Sequence, residues 1–270
     1  MIGAVSKDYS DELAKEGDVV HVQKRGTLRS YDKLANTEVH VQVPTGSTIP
    51  VSLPYHKEVS FIVEDIAEAQ ANTSLIDGYT EDAALVLAKD IEIALCSIYS
   101  DDDYIAANDL DWDSTDVVGT MTDLRTKMVV DNKLPDSSPR YVVIKDMKDF
   151  LAEEKFISKD TLDQNSLGTG TVGRILGFDV KESSEIITTL SPTQVHRLAF
   201  ARDAITLVTR RLPDPPAGTG AKGITVSADG VGMRATSGYN IQHLAMQVTV
   251  DLLFGTKVLY PQWVYQLLDA

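Results

Sequence analysis

The chain has 270 residues with 25 basic and 40 acidic side chains, so its formal net charge is −15 and its isoelectric point is about 4.7. A single cysteine, Cys96, excludes an internal disulfide and a cysteine zinc cluster. Affinity for nucleic acid comes largely from Lys and Arg side chains that release counterions from phosphates, so this charge balance argues against a general polyanion binder. Any contact with DNA is expected to be local or weak.

Membrane insertion and export are not expected either. No segment approaches the roughly 18 to 20 uninterrupted apolar residues that a membrane-spanning helix needs. Residues 1–16 carry charges and lack the apolar stretch of a signal peptide.

The first third of the chain predicts a long β excursion. Residues 18–23 and 38–43 alternate like strands, and a third extended run covers residues 59–63. The intervening prolines disfavour a regular helix between these runs: Pro44, Pro50 and Pro54. We therefore expect residues 17–63 to form an extended excursion without a hydrophobic core of its own.

A long amphipathic helix is predicted next, with Thr80 as its N-cap and its end at Ser100. About 20 residues at 1.5 Å each make a helix of close to 30 Å, long enough to lie under a sheet as a spine. Cys96 is expected to be a small buried hydrophobe on this helix. The predicted buried stripe is Ala84, Leu87, Ala88, Ile91, Ala94, Leu95 and Ile98.

The remainder alternates shorter helices and strands, which indicates an α+β fold. Helices are predicted over residues 116–132 and 145–156, and a glycine-rich loop over 165–173. Strands are predicted at residues 140–144, 178–180, 197–200, 205–209 and 240–250, with a Pro/Gly-rich turn at 212–223 and a return after Gly255 through residues 257–260.

The motifs that could carry chemistry fail on context. Residues 168–173 and 218–223 have the glycine spacing of a dinucleotide site, but neither follows a strand. Residues 109–113 resemble the start of an EF-hand loop, yet Ser114 and Thr120 stand where glycine and glutamate are required. A solvated acidic connector is the favoured interpretation, and weak cation binding by residues 101–113 stays open. We predict no catalytic, cofactor or metal site.

Two basic groups stand out in the acidic chain. One consists of Lys24, Arg25 and Arg29 in the excursion, and the other of Arg197, Arg202, Arg210 and Arg211. Each fits surface ion pairing with the chain's own carboxylates. Each also fits charge complementarity between copies of the chain, which sets register more than affinity. The first group is our candidate contact between subunits.

Several segments carry a resemblance to a known family. They are Phe61–Gln70, Asp77–Ala84, Gly173–Val180 with Ser183 and Ser184, Leu198–Ile205, and residues 247–265 with Phe254–Pro261. In order and spacing they resemble the major capsid proteins of tailed bacteriophages with the Hong Kong 97-type fold. The resemblance covers most of the chain.

This resemblance implies an α+β fold with four named parts. Residues 1–16 would be the remnant of an N-terminal arm, either processed or short, and residues 17–63 the extended E-loop. A peripheral domain would take 64–113 and 237–253, with the spine helix at 80–100. An axial domain would take 114–236 and 254–270.

The resemblance also implies a structural role without catalysis. The subunit would form hexamers and pentamers of an icosahedral shell that matures from a procapsid and encloses double-stranded DNA by confinement. Scaffolding, portal and decoration proteins would be its further partners, and it would be a late protein of the virion, assembled in the host cytoplasm. The alternatives are an encapsulin-like nanocompartment shell of the same fold and, from a different class, an α+β enzyme with a spatially assembled site.

Overall fold

The computed structural model describes residues 1–7, 19–24, 28–65, 75–145, 147, 174–190, 193–216, 220–228 and 231–269. The described residues contain two α-helices, α1 (Leu75–Cys96) and α2 (Val117–Arg125). The strands are β1 (Val19–Lys24), β2 (Ser47–Ser52), β3 (Tyr55–Glu64), β4 (Leu110–Trp112), β5 (Arg140–Ile144), β6 (Arg174–Ile175), β7 (Phe178–Glu182), β8 (Thr188–Leu190), β9 (Thr193–Val195), β10 (Arg197–Ala201), β11 (Ile205–Arg210), β12 (Lys222–Ala228), β13 (Val231–Asn240), β14 (Ala245–Val258) and β15 (Val264–Asp269).

A five-stranded sheet is built around β14. One edge of β14 pairs antiparallel with β3, from Ala245 opposite Glu64 to Phe254 opposite Tyr55. The other edge pairs with β13 in its first half and with β11 in its second, and β12 pairs with β13. β3, which ends the predicted excursion, is therefore part of this sheet. Its alternating apolar side chains pack on a helix rather than extending into solvent.

A six-stranded sheet has the order β4-β15-β10-β5-β7-β6. β5 pairs in parallel with β7, and β4 with β15, while the other pairs are antiparallel. β8 and β9 form a separate small hairpin. The strands predicted at residues 140–144, 178–180, 197–200 and 205–209 are all confirmed, with boundaries within two residues.

The spine helix is confirmed, but its predicted boundaries are wrong. It begins at Leu75 and ends at Cys96, and a 3-10 turn, Ile98–Ser100, follows it. Thr80 lies inside the first turns, where its hydroxyl donates to the Ile76 carbonyl at 2.7 Å. A threonine that bonds back to residue i−4 has the same sequence appearance as an N-cap, which explains the error.

The helix packs across β3 and β14. Its fully buried residues are Ala83, Leu87, Ile91, Leu95 and Cys96, so the predicted stripe is right in its large members and shifted at its start. Burial raises the pKa of the Cys96 thiol to about 12, which fits an inert core position. Buried residues of both sheets and both helices form one continuous cluster.

The helix predicted over 116–132 is confirmed with a change of type. Asp116 is its N-cap and accepts the Gly119 N–H at 3.1 Å. After Arg125 the chain winds into a π-helical segment, Thr126–Asp131, and Asn132 ends it. The predicted helix 145–156 and the glycine-rich loop 165–173 lie outside the described residues except for Lys145, which directly follows β5, and Met147.

Two strand predictions need correction. Residues 241–244 form the turn between β13 and β14, and β14 continues past Gly255 to Val258, so the strand predicted at 240–250 is shifted. Ile241 and Leu244, apolar residues at the start of that predicted strand, are 78% and 63% exposed at this turn. Residues 38–43 have no strand hydrogen bonding, although β2, which the sequence did not predict, follows them at Ser47–Ser52.

Candidate assembly surfaces

A long hairpin, described at residues 19–24 and 28–52, replaces the predicted coreless excursion. Its base is the antiparallel pair β1 and β2, in register from Val19 opposite Ser52 to Lys24 opposite Ser47. The base does have a small core: Val20, Val22 and Val51 are buried against Val208 of β11 and Leu259 after β14. The hairpin is therefore fixed to the five-stranded sheet at one end.

The polypeptide passes from the hairpin to β3 by crossing directly over β14. At the crossing stands Gly255, which pairs with Val208 of β11. A Cβ atom at this position would lie 2.0 Å from the Ser52 carbonyl oxygen and 3.1 Å from the Leu53 Cα. Only glycine permits so close an approach of two backbones.

The distal half of the hairpin, residues 28–46, continues the register of the base without secondary-structure hydrogen bonds. Arg29, five residues after Lys24, lies beside Gln42, five residues before Ser47. The Gln42 side chain accepts from the Arg29 N–H at 2.9 Å and donates to the Arg29 carbonyl oxygen at 2.5 Å. Tyr31 and His40 stack at 4.8 Å.

A tight turn ends the hairpin. The Thr37 N–H donates to the Leu34 carbonyl oxygen at 3.4 Å, and Asn36 has φ 58°, a left-handed conformation that asparagine tolerates well. Within residues 28–46 this is the one backbone-to-backbone hydrogen bond that the structure describes. The two arms thus lie side by side, but their backbone N–H and C=O groups are largely unpaired.

Two of the three candidate contact residues, Lys24 and Arg29, lie on the described parts of this hairpin. Arg29 is exposed, and its backbone is held by Gln42. Lys24 ends β1, while its side chain and the whole of Arg25 lie outside the described part. The grouping of the three as one basic patch therefore stays a prediction.

The second basic group is not a single surface patch. Arg197 is buried: its Nη1 donates to Asp269 Oδ1 at 2.6 Å, and its guanidinium lies 4.8 Å from the centre of the Trp112 ring. The prediction of ion pairing with the chain's own carboxylates is thus correct for Arg197, but the side chain is buried and not on the surface. Arg202 and Arg211 are exposed and Arg210 is half-buried.

Acidic residues near the spine helix are partly neutralised by a lysine of the same chain. Lys257 Nζ lies 2.8 Å from Asp101 Oδ1 and 2.7 Å from Asp103 Oδ2, and these hydrogen bonds raise the pKa of Lys257 against the opposing effect of burial. Asp109–Asp113 contains strand β4, whose Trp112 is buried. Among the described residues, no group of three or more His, Cys, Asp or Glu side chains is arranged to hold a metal ion.

A buried carboxylate links three strands of the five-stranded sheet. Asp251 of β14, 4% exposed, accepts from Arg234 of β13, with Nε 3.0 Å from Oδ1 and Nη2 in contact with Oδ2. His56 Nε2 of β3 lies 3.4 Å from the same carboxylate. The hydrogen bond to Asp251 raises the pKa of Arg234. This cluster holds β3, β14 and β13 in register.

His196 has structural partners. Its ring stacks on Tyr99 at 4.5 Å, its Nδ1 accepts from the Gln266 amide, and its Nε2 lies 3.3 Å from Thr189 Oγ1. Burial lowers the pKa of His196, and the nearby Asp109 opposes this weakly. The glycine motif at 218–223 begins in residues that are not described and leads into strand β12, where a dinucleotide site would need a helix.

No helix in the described part of the chain is long and apolar enough to cross a bilayer. A scan against protein-family models and a search of curated proteins both found no match. Solved structures do match over nearly the whole chain.

One such structure, from Mycobacterium phage Che8, has a TM-score of 0.69 and 20% sequence identity, covering 98% of this chain and 89% of that chain. The capsid structure of the cyanophage P-SCSP1u has a TM-score of 0.66 and 14% identity, covering 94% of this chain and 84% of that one. The capsid of Ralstonia phage GP4 has a TM-score of 0.62 and 10% identity, with 98% and 87% covered. The chain has the α+β fold of tailed-phage capsid proteins, the Hong Kong 97-type fold.

Proposed function

We propose that the protein is the major capsid subunit of a tailed bacteriophage. The observation that carries the proposal is the match of fold along 98% of this chain and 87% of the Ralstonia phage GP4 capsid chain, which leaves little of either chain unmatched. The long hairpin adds a physical reason: its distal half exposes apolar side chains that a lone subunit leaves in water. Such a surface indicates a protein that works by contact with other molecules.

We infer that copies of the chain form hexamers and pentamers of an icosahedral shell around double-stranded DNA. Closed shells arise from repeated contacts of one subunit with its neighbours. A net charge of −15 suits a container that holds DNA by confinement, because an acidic wall does not grip phosphates. Assembly would take place in the host cytoplasm, with scaffolding, portal and decoration proteins as further partners, and the subunit itself would perform no catalysis.

We propose a domain division that follows the two sheets, with boundaries that differ from those that the family resemblance implies. The peripheral domain would hold α1 and the five-stranded sheet, which includes β11, β12 and all of β13. The axial domain would hold the six-stranded sheet, from β4 to β10, with β15 returning to it. The E-loop would be the hairpin 19–52, without β3.

We also propose that Lys24, Arg25 and Arg29 meet acidic surface on a neighbouring subunit. Reversal of all three charges (K24E, R25E and R29E) should weaken assembly at low salt by at least tenfold in critical concentration and reduce its salt dependence, since surface charges act within a Debye length of about 10 Å at 0.1 M salt. Light scattering against ionic strength measures both effects. Unchanged assembly with an unchanged salt dependence would refute this contact.

Self-assembly itself is tested by sedimentation velocity of the purified chain over a range of concentrations. Large, discrete particles are expected. A nanocompartment shell would also form particles, so gene context separates the two: terminase, portal and protease genes beside the gene for a phage capsid, and a cargo enzyme for a nanocompartment. A chain that stays monomeric throughout and turns over a substrate would favour the enzyme alternative.

A further inference from the structure

One buried side chain of the six-stranded sheet is left with unused hydrogen-bond donors. Arg140 begins β5 and is 4% exposed. Its Nη2 donates to the Asp136 carbonyl oxygen at 3.2 Å and lies 3.4 Å from Asp136 Oδ1. Among the described residues, no acceptor lies within hydrogen-bond reach of Arg140 Nε or Nη1, although both nitrogens are buried. Because Nε carries one N–H and Nη1 carries two, the guanidinium keeps three N–H groups without an acceptor.

This arrangement is unfavourable in the single subunit. A buried donor without an acceptor has lost its hydrogen bonds to water, and the free-energy cost is larger for a charged group. The Asp136 carboxylate is 81% exposed, so water screens most of its attraction for the guanidinium. The Phe178 ring, whose centre lies 5.8 Å from Arg140 Cζ, adds a cation–π contact but no acceptor. Arg140 is therefore placed for an acceptor that the described part of the chain does not provide.

A tight turn covers the Arg140 guanidinium. This β6–β7 turn consists of Leu176, with φ 48°, and Gly177, with φ 89°. A Cβ atom at Gly177 would lie 3.8 Å from Arg140 Cζ and Nη1. β6 has two residues, Arg174–Ile175, and forms the edge of the sheet. Few backbone hydrogen bonds hold so short an edge hairpin, so an outward movement of its turn costs little free energy and would bring Arg140 to the surface.

We infer that Arg140 is the receptor for a carboxylate that the single subunit does not supply. A guanidinium presents its N–H groups in a planar fork that matches the two oxygens of a carboxylate, and such charge-assisted pairs are short and strong. Two sources share this chemistry. One is an Asp or Glu side chain of a second copy of the chain, which rests on the proposed capsid function, and the other is a small carboxylate from solution.

Charge favours the second copy as the source. Each chain carries 40 acidic side chains against 25 basic ones, so two copies in contact present more carboxylates than cations to pair with them. Arg174 adds a second positive charge beside the turn: it is 61% exposed, and its Nη2 donates to the Gly177 carbonyl oxygen at 3.4 Å. Asp179, 3.8 Å from Arg174 Nε, offsets this charge in part. An approaching carboxylate therefore meets one exposed arginine and one buried arginine at the same turn.

A methionine substitution tests the subunit below its critical concentration for assembly. Arg140→Met keeps a long unbranched side chain and removes the unused donors. Because donors without acceptors contribute no stability, the urea midpoint of this variant should equal that of the unaltered chain or exceed it. Arg211→Met, at an exposed position after β11, removes one positive charge elsewhere and is the matched control. A midpoint lowered by Arg140→Met alone would show that the subunit already satisfies Arg140, and would overturn the inference.

The same two variants test the second copy as the source. If a neighbour supplies the carboxylate, Arg140→Met should raise the critical concentration for assembly at least about tenfold, because removal of one member of a desolvated ion pair leaves the other unpaired. Arg211→Met should stay within about threefold of the unaltered chain. Light scattering over a range of concentrations measures both values.

Sodium formate tests the small carboxylate as the source. If Arg140 takes a carboxylate from solution, formate should raise the thermal unfolding midpoint of the unassembled subunit above its value in sodium chloride of equal ionic strength. Arg140→Met should abolish this difference, and Arg211→Met should keep it. If formate has no effect and Arg140→Met assembles as well as the unaltered chain, Arg140 is not a carboxylate receptor, whereas the capsid function stands.

Electron cryomicroscopy of assembled particles locates the acceptor directly. We expect a carboxylate oxygen of another copy within about 3.2 Å of Arg140 Nε or Nη1. An ordered water or an acceptor of the same copy at both nitrogens, together with the absence of a formate effect, would overturn the inference. If the unaltered chain never assembles, the proposed function fails, and the formate measurement on the subunit alone decides the role of Arg140.

Discussion

At the scale of single residues, buried polar groups show what local sequence patterns cannot reveal. Arg197 has the appearance of a surface charge in a basic run, yet it is buried between Trp112 and Asp269. Asp251 sits in an apolar strand and is held by Arg234. Arg197 and Asp269 are 72 residues apart in the sequence, and Arg234 and Asp251 are 17 apart. A local sequence pattern does not reveal pairs at such separations.

His196 makes a prediction about pH. Its folded-state pKa is lowered by burial below the ordinary value of 6.5, so the unfolded chain binds the proton more readily. The stabilising effect is therefore present above pH 6.5 and lost as the pH falls below it. Accepting a hydrogen bond from Gln266 at Nδ1 requires the neutral ring, which agrees with this direction.

Chemical denaturation of the unassembled subunit at pH 7 and at pH 5 measures the effect. His196→Asn should lower the free energy of unfolding at pH 7 by about 1–3 kcal/mol, because a buried partner is lost. It should also show a smaller loss between pH 7 and pH 5 than the unaltered chain. His243→Asn, in the exposed turn after β13, should keep the original pH dependence, and an equal slope in all three proteins would contradict the role of His196.

At the scale of elements, regular local patterns were predictable and long-range pairing was not. β5 follows from an apolar run after a proline, and the large residues of the α1 stripe follow from helical spacing. The turn at 241–244 was missed because two apolar residues, Ile241 and Leu244, directly precede the alternating residues of β14, although both are exposed there. β1 was predicted at residues 18–23, but its partner β2, which contains Pro50, was missed; a strand at the edge of a sheet accommodates proline.

Gly255 makes a prediction at this scale. Gly255→Ala forces a Cβ against the Ser52 carbonyl, so the β1–β2 base should be displaced from β14 while the five-stranded sheet persists. Overpacking of this kind costs about 1–3 kcal/mol of unfolding free energy. Relative to the unaltered chain, backbone amide hydrogen exchange should accelerate more in residues 47–52 than in residues 245–251. Assembly of the variant should also be weaker.

Gly232→Ala, in β13 of the same sheet, is the matched control. A Cβ there meets no atom within 4 Å, so stability should change by no more than about 0.5 kcal/mol. If both glycine variants behave alike in exchange and assembly, the crossing at Gly255 does not set the position of the hairpin.

At the scale of the whole molecule, the order of several weakly specific segments predicted the fold, and the acidic net charge argued against a general polyanion binder. The long-range pairing was not visible in the sequence: β14 gathers strands from residues 55 to 240 into one sheet. The described part of the chain has a continuous buried core but leaves Leu28, Val39, Val41 and Val43 of the hairpin exposed. A neighbour completes that surface in the function we propose.

Electron cryomicroscopy of the concentrated full-length chain tests this most directly. We expect closed shells with icosahedral symmetry, built of hexamers and pentamers, in which residues 28–46 of each subunit lie against the next. Uniform monomers at every concentration and ionic strength would contradict the proposal that this chain is a capsid subunit.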